Sequence, residues 1–142
     1  MKLLVLLSSL IAMLPVLGDS GDDTLKFFLS KSELVVIGKI TSEPSGTIEE
    51  SGVLNYFCEF HVQDVLKGDG KLKDQVIKVN ITRFEMKAKD KHPLIKKDGE
   101  CILFLKNADP GTPSWVTADF WFGLQHPSPG MAQSLKRVAS EK

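Results

Sequence analysis

Histidine is the first residue type to examine for acid–base or metal chemistry, and the chain has three, His61, His92 and His126. No two of them have the spacing of a metal-binding pair, and none belongs to an H-E-x-x-H motif. His61 lies two residues from Glu59 on a predicted strand, so the two side chains share a face and have the types needed for an acid and a base. A solvated strand face explains the pair more simply. The sequence therefore predicts no metal site and no cofactor.

The serines and glycines lack the settings that nucleophilic and nucleotide chemistry require. No serine occurs in a G-x-S-x-G or S-x-x-K motif, and the chain contains no P-loop. The run Gly68-Asp69-Gly70 reads as a hairpin turn, because no helical pattern opens directly after it. We therefore expect a protein that is not an enzyme.

Positive charge is concentrated in one polar segment, residues 85–98, which Pro93 prevents from forming a continuous helix or strand. Its lysines are Lys87, Lys89, Lys91, Lys96 and Lys97. Basic loops of this kind bind anionic polysaccharides or protein partners, whereas the simpler interpretation is a solvated surface connection. Nucleic acid is not expected as a partner, because the chain as a whole is neutral.

Aromatic residues mark a second candidate binding surface near the carboxyl end. Alternation over residues 115–122 predicts a fifth strand that places Trp115 and Trp121 on one side. Exposed aromatic side chains suit stacking on sugar rings or a protein hot spot. The competing interpretation is that the C-terminal helix covers both tryptophans.

The only cysteines, Cys58 and Cys101, each lie inside an apolar, strand-like run. The sequence leaves two states open for them, one disulfide or two buried free thiols, since a buried cysteine also packs as a small hydrophobe. A bridge would close a loop of about 40 residues and stabilise the fold by about 3 to 4 kcal/mol.

The amino terminus has the pattern of a cleavable secretory signal. The run from Leu3 to Leu17 is almost wholly apolar, follows Lys2, and ends at Gly18 before an acidic stretch. It is short for a bilayer core, which needs about 20 residues. We therefore expect cleavage after Gly18, a secreted or periplasmic location, and no membrane contact afterwards. Residues 19–142 then form one domain with a net charge of about −1.

Period-two alternation predicts that this domain is mainly β. The expected strands are residues 34–40, 53–65, 75–84, 101–105 and 115–122. The residues of the second strand that are expected to face inward, away from Phe57, are Tyr56, Cys58, Phe60 and Val62. Those of the third strand are Ile77, Val79 and Ile81. The continuously apolar fourth strand is expected to be covered on both faces. Gly38, inside the first strand, marks a bulge or a close approach.

Two helices complete the predicted fold. A short helix of one to two turns is expected over residues 23–31, and a C-terminal helix begins at the N-cap Ser128. Residues 42–52 read as a long hairpin loop. The most economical architecture is a small five-stranded OB-like (Greek-key) antiparallel barrel with a helix at each end, and a β-sandwich is the alternative.

Three stretches resemble a known family. They are Ser32-Glu33-Leu34-Val35-Val36-Ile37-Gly38-Lys39-Ile40, Phe60-His61-Val62-Gln63-Asp64-Val65-Leu66-Lys67-Gly68-Asp69 and Lys97-Asp98-Gly99-Glu100-Cys101-Ile102-Leu103-Phe104-Leu105-Lys106. Together they are similar to exported bacterial OB-fold domains related to tissue inhibitors of metalloproteinases and to netrin modules. The resemblance implies a fold. It does not imply metalloproteinase inhibition, because those inhibitors chelate zinc through an N-terminal cysteine, and no cysteine lies near Asp19.

The sequence thus predicts an exported, monomeric, non-enzymatic domain that binds a protein or a glycan. One alternative is an enzyme with a pocket that holds His61 and Glu59 at shifted pKa values. Another is a secreted protease inhibitor acting through an ordered, protruding segment at residues 44–52 or 107–114. The run Asn80-Ile81-Thr82 is in addition an acceptor motif for N-glycosylation on the outer face of the third predicted strand.

Overall fold

The structure, a computed structural model, describes residues 14–48, 52–84, 95–111 and 114–141. These residues form two α-helices, seven strands and one short 3-10 turn, Gly70–Leu72. The helices are α1 (Leu14–Ser30) and α2 (Pro129–Ser140). The strands are β1 (Leu34–Ile40), β2 (Ser45–Ile48), β3 (Val53–Lys67), β4 (Val76–Phe84), β5 (Glu100–Asn107), β6 (Ser114–Thr117) and β7 (Leu124–Gln125).

Five of these strands close into a barrel in the order β1-β3-β4-β6-β5, and a further pairing of β1 with β5 completes the ring. This arrangement confirms the predicted small OB-like barrel with a helix at each end. The prediction that every pair is antiparallel is wrong at one place, because β4 and β6 run parallel. A closed ring with an odd number of strands cannot alternate direction all the way round, so at least one neighbouring pair must be parallel.

The inside of the barrel follows the predicted alternation of the second and third barrel strands, β3 and β4. The inward side chains are buried: Tyr56, Cys58, Phe60, Val62, Ile77, Val79 and Ile81. Phe57, on the opposite face of β3, is 54% exposed. The period of two along the chain is therefore enough to define this part of the core.

Strand β5 is covered on both faces, as its continuous apolar run predicts. Cys101, Leu103 and Leu105 belong to the apolar cluster inside the barrel, whereas Ile102 and Phe104 belong to a second cluster beneath the helices. All five side chains are fully buried. This strand is the boundary between the two clusters.

Strand β1 passes very close to β3 at Gly38. The pairing register shifts between Ile37 and Gly38, which confirms the predicted bulge. A methyl group added at Gly38 would collide with the carbonyl oxygen of His61 and the ring of Phe60. Glycine is therefore the residue that lets the two strands approach each other.

Helix α2 begins as predicted, with the Ser128 hydroxyl accepting a hydrogen bond from the Met131 amide at 3.3 Å and Pro129 in the first turn. Leu135 and Val138 are buried against the barrel and α1. Two ion pairs hold the helix from the outside. Lys136 lies 2.7 Å from Asp64 on β3, and both terminal nitrogens of the Arg137 guanidinium lie 2.9 Å from the Asp22 carboxylate on α1.

Helix α1 is longer than the one to two turns predicted over residues 23–31. Pro15 lies in its first turn, where a missing backbone N–H costs no intrahelical bond, so the helix extends upstream through Gly18. The Lys67 ammonium donates to the carbonyl oxygens of Leu29 and Ser32, both at 2.6 Å, and so fixes the carboxyl end on the barrel. Across the described part of the chain, neither helix combines the length and hydrophobicity that crossing a membrane requires.

Two strand predictions need correction. Residues 45–48, expected within a hairpin loop, pair with β3, because Gly46 has no side chain to collide with the Asn55 carbonyl. The fifth strand, expected over residues 115–122, ends at Thr117. The Asp119 carboxylate accepts hydrogen bonds from the amides of Trp121 and Phe122 at 2.6 and 3.3 Å, and this local turn outcompetes extended structure.

Candidate functional site

A groove of about 440 Å³ lies against β3 and β4. One wall comes from the connection between β1 and β2 through Ser42 and Glu43, and the other from Ala108, just after β5, and Ser114, the first residue of β6. The volume lies in the range of small-ligand sites, which is about 300 to 1,000 Å³. We call this feature the β3–β4 groove.

The register of β3 and β4 assembles the groove's outward-facing side chains. Phe57 lies opposite Asn80, and Glu59 lies opposite Lys78. Directly opposed residues share one face of the sheet with neighbouring Cβ atoms, so these four side chains form a continuous patch. The exposed ring of Phe57 gives this otherwise polar patch an apolar centre.

Next to the Phe57 ring lie two amide side chains whose hydrogen bonding is incomplete. The Asn80 Oδ1 atom is shielded from solvent and accepts no hydrogen bond. The same holds for Asn55, two residues before Phe57 on the same face of β3. A buried polar atom without a partner costs about 1 to 3 kcal/mol, so this is an unusual place for two such atoms.

The walls of the groove are tied to the barrel. The Ser42 hydroxyl accepts a hydrogen bond from the Glu59 amide at 2.8 Å, which holds the β1–β2 connection against β3. Trp115, at the start of β6, is half-buried and packs on the core inside the barrel while it also lines the groove. The groove is therefore shaped by residues that the fold itself holds in place.

The two tryptophans predicted to share one strand face lie in different places, so that prediction is wrong. Trp115 is in the groove, whereas Trp121 lies on the turn after β6 and is 64% exposed. The C-terminal helix therefore leaves most of Trp121 uncovered, and the Trp121 amide donates a hydrogen bond to the Asp119 carboxylate within that turn. The adjacent Phe122 is buried and stacks on Phe28 of α1 with a centroid distance of 4.3 Å.

The predicted basic surface does not form part of the groove where the structure describes it. Lys96 and Lys97 are exposed and follow the buried Ile95 in the approach to β5. Lys87, Lys89 and Lys91 lie outside the described residues. Among the described lining residues the one cation is Lys78, which the sequence does not single out because it has the pattern of an ordinary outward residue of an alternating strand.

The two cysteines are free thiols, and both belong to the apolar cluster inside the barrel. Burial, with a smaller contribution from the Glu59 charge, raises the pKa of the Cys58 thiol to about 11. Burial, with a smaller contribution from Cys58, raises the pKa of the Cys101 thiol to about 12. Both groups are therefore largely protonated at neutral pH, and the alternative of one disulfide stays a prediction.

Of the candidate acid–base pair His61 and Glu59, only one residue lines the groove. Glu59 lines the groove, and His61, two residues further along β3, is not among its lining residues. Within the described ranges no three metal-ligating side chains of His, Cys, Asp or Glu come together. Among the described residues, the groove's lining includes two aromatic side chains, one amide and three charged groups, which are Phe57, Trp115, Asn80, Glu43, Glu59 and Lys78.

The fold and the groove together define a small OB-like barrel with a ligand-sized depression against its second and third barrel strands. No protein-family model matches the chain. No curated protein matches it in sequence at a significant level.

Proposed function

We propose that this chain is an exported, non-enzymatic binding domain that holds a protein or glycan ligand in the β3–β4 groove. The observation that carries the proposal is an exposed Phe57 ring directly opposite Asn80, whose side-chain oxygen is buried and has no partner. An exposed aromatic ring and an unfulfilled hydrogen-bonding group each carry a cost in the free protein. A ligand that covers the ring, and bonds the Asn80 amide once that side chain has turned toward the groove, relieves both costs at once.

The position of the groove supports the same proposal. In OB-folds the face of the second and third barrel strands, flanked by the loops after the first and fourth, binds oligonucleotides and oligosaccharides. Here β3 and β4 are the second and third strands of the ring, and the flanking connections supply Ser42 and Ala108. The site and the fold therefore point to the same part of the molecule.

The amino-terminal sequence and the overall charge indicate where this binding takes place. The apolar run from Leu3 to Leu17, followed by the small residue Gly18, is typical of a cleaved export signal. The chain is electrically neutral overall, which gives no general attraction to nucleic acid or anionic membranes. A secreted or periplasmic protein or glycan is the ligand class that fits both features.

Thermal unfolding of the purified protein against panels of oligosaccharides and peptides tests the proposal. We expect members of one class to raise the midpoint of the wild type and of Phe27→Ala, and to leave Phe57→Ala unshifted. Phe27 is the matched control, because it is 53% exposed, is also a phenylalanine and lies on α1 outside the groove. Shifts that persist in Phe57→Ala, or an absence of shifts for either panel, contradict the proposal.

A further inference from the structure

The charges around the β3–β4 groove indicate what kind of ligand it accepts. Among the residues that the structure describes, its lining includes the carboxylates of Glu43 and Glu59 and one ammonium group, that of Lys78. The balance of these described groups is one negative charge, and Lys78 directly faces Glu59 across the strand pair. A polyanion such as a nucleic acid or a sulfated or uronic polysaccharide would gain no net attraction from this lining.

The strand pairing indicates that the ligand is not an extended peptide added to the sheet. At the groove floor Phe57 is paired with Ser45 of β2 on one side and with Asn80 of β4 on the other. Asn80 is likewise paired on both sides, with Phe57 and with Val116 of β6. Peptides that bind by β-augmentation need a strand edge with free backbone groups, and Phe57 and Asn80 do not lie on such an edge.

The amides favour a ligand that carries hydroxyl groups. The side chains of Asn55 and Asn80 lie on the same sheet face as Phe57, and each has an oxygen without a hydrogen-bond donor. Rotation about the terminal amide torsion is soft and exchanges the oxygen and nitrogen positions. A hydroxyl group both donates and accepts, so it can pair with either amide in either orientation.

We infer that the β3–β4 groove binds an uncharged glycan, an inference that rests on the proposed function. One sugar ring covers Phe57, and the hydroxyl groups of that sugar are bonded to Asn80. The face of an aromatic ring carries partial negative charge, which attracts the polarised C–H groups on the face of a pyranose ring. The hydroxyls at the edge of the same ring then reach the amides beside Phe57.

Calorimetric titration with uncharged hexasaccharides of N-acetylglucosamine, glucose and mannose, and with uronic and sulfated hexasaccharides, tests this inference. We expect one or more of the uncharged probes to bind, with affinity changing less than about twofold between low and high salt because no net charge is neutralised. Phe57→Ala should weaken binding about tenfold or more, as loss of a stacking contact does. Phe27→Ala should leave the affinity unchanged.

Asn80→Ala separates a binding role from a structural one. The Oδ1 atom of Asn80 is buried and accepts no hydrogen bond in the folded state, so the variant should unfold at the wild-type midpoint or above it while losing affinity for the uncharged probe. A lowered midpoint with unchanged affinity overturns the role assigned to Asn80.

The remaining outcomes separate the inference from the proposal on which it rests. Salt-sensitive binding of the uronic or sulfated probes, or Phe57-dependent binding of peptides alone, overturns the inference of an uncharged glycan and leaves a binding groove in place. Binding that does not depend on Phe57, or no binding by any probe, overturns both.

Discussion

The apolar cluster inside the barrel and the cluster beneath the two helices are built in different ways. The first draws its residues from neighbouring strands, each contributing alternate positions such as Phe60, Val79 and Leu103. The second brings together distant parts of the chain, among them Leu29 of α1 and Leu135 of α2. The local period of a strand specifies the first cluster, whereas only the packing of helices on the barrel specifies the second.

The second cluster also relies on contacts at its margin that the first does not need. Phe28 stacks on Phe122, and both rings make edge contacts with Phe104 of β5 at 5.5 and 5.7 Å. Lys67 and the ion pairs of α2 then fix the helices from outside. The barrel interior is thus closed by the strands themselves, and the helical layer by pairwise contacts.

The largest effect is expected in the barrel interior. Phe60 is fully buried, and Phe60→Ala removes its contacts and leaves a cavity, which should lower the free energy of unfolding by about 3 to 5 kcal/mol. Urea denaturation measures the change. Phe57→Ala, three residues away on the exposed face, should lower the free energy of unfolding by less than about 1 kcal/mol. Equal losses in the two variants would mean that the interior and the exterior of β3 are wrongly assigned.

A large-to-small substitution in the cluster beneath the helices should lower the free energy of unfolding somewhat less than one inside the barrel. Leu135 is fully buried on α2, and Leu135→Ala should cost about 2 to 4 kcal/mol. Fluorescence and far-ultraviolet circular dichroism should report one common transition if the two clusters unfold together. Separate transitions in this variant would show that the helices detach before the barrel opens.

The cysteines report whether the barrel interior is as closed as its packing indicates. Because the pKa of Cys58 is raised from 9.0 to about 11, native alkylation at pH 8 should be slower than in denaturant by about a hundredfold or more. Intact mass after timed alkylation follows both thiols. Rapid labelling of the native protein would contradict a closed interior, and a chain that takes up label only after reduction contains the disulfide instead.

The smallest effect belongs to the ion pair between Asp64 and Lys136. The hydrogen bond from Lys136 holds the pKa of the Asp64 carboxyl below its usual value, so the pair stabilises the fold above the unfolded pKa of about 3.9. This contribution is lost as the pH falls through the folded pKa. Asp64→Asn should therefore lower the free energy of unfolding by less than about 1 kcal/mol at pH 7, and should leave it unchanged in strong acid.

The control for this pair is Lys136→Met, which removes the same contact from the other side. Urea titrations at a series of pH values should give the two single variants similar losses, and the double variant no further loss. Additive losses would show that the two residues act independently of each other.

The sequence predicts the barrel interior better than it predicts the candidate site. Alternation alone identifies Phe60 and Val79 as inward, and Phe57 is visible as a large apolar residue on the polar face of its strand. The pairing of Phe57 with Asn80 is not visible, because it depends on the register between two strands. The position of Trp121 is missed for a local reason, since the Asp119 side chain offers the backbone a turn that competes with the strand pattern.

The hydrogen bonds of Thr82 have a consequence for how the protein should be produced. Thr82 completes the glycosylation motif that begins at Asn80, and its hydroxyl lies 2.9 Å from the hydroxyl of Thr117, within the sheet. In the folded chain this acceptor motif is therefore part of the β4–β6 pair. A eukaryotic secretory host that modifies the chain before it folds would attach a sugar to Asn80 inside the groove. Protein purified from such a host would therefore have its β3–β4 groove obstructed by the attached sugar.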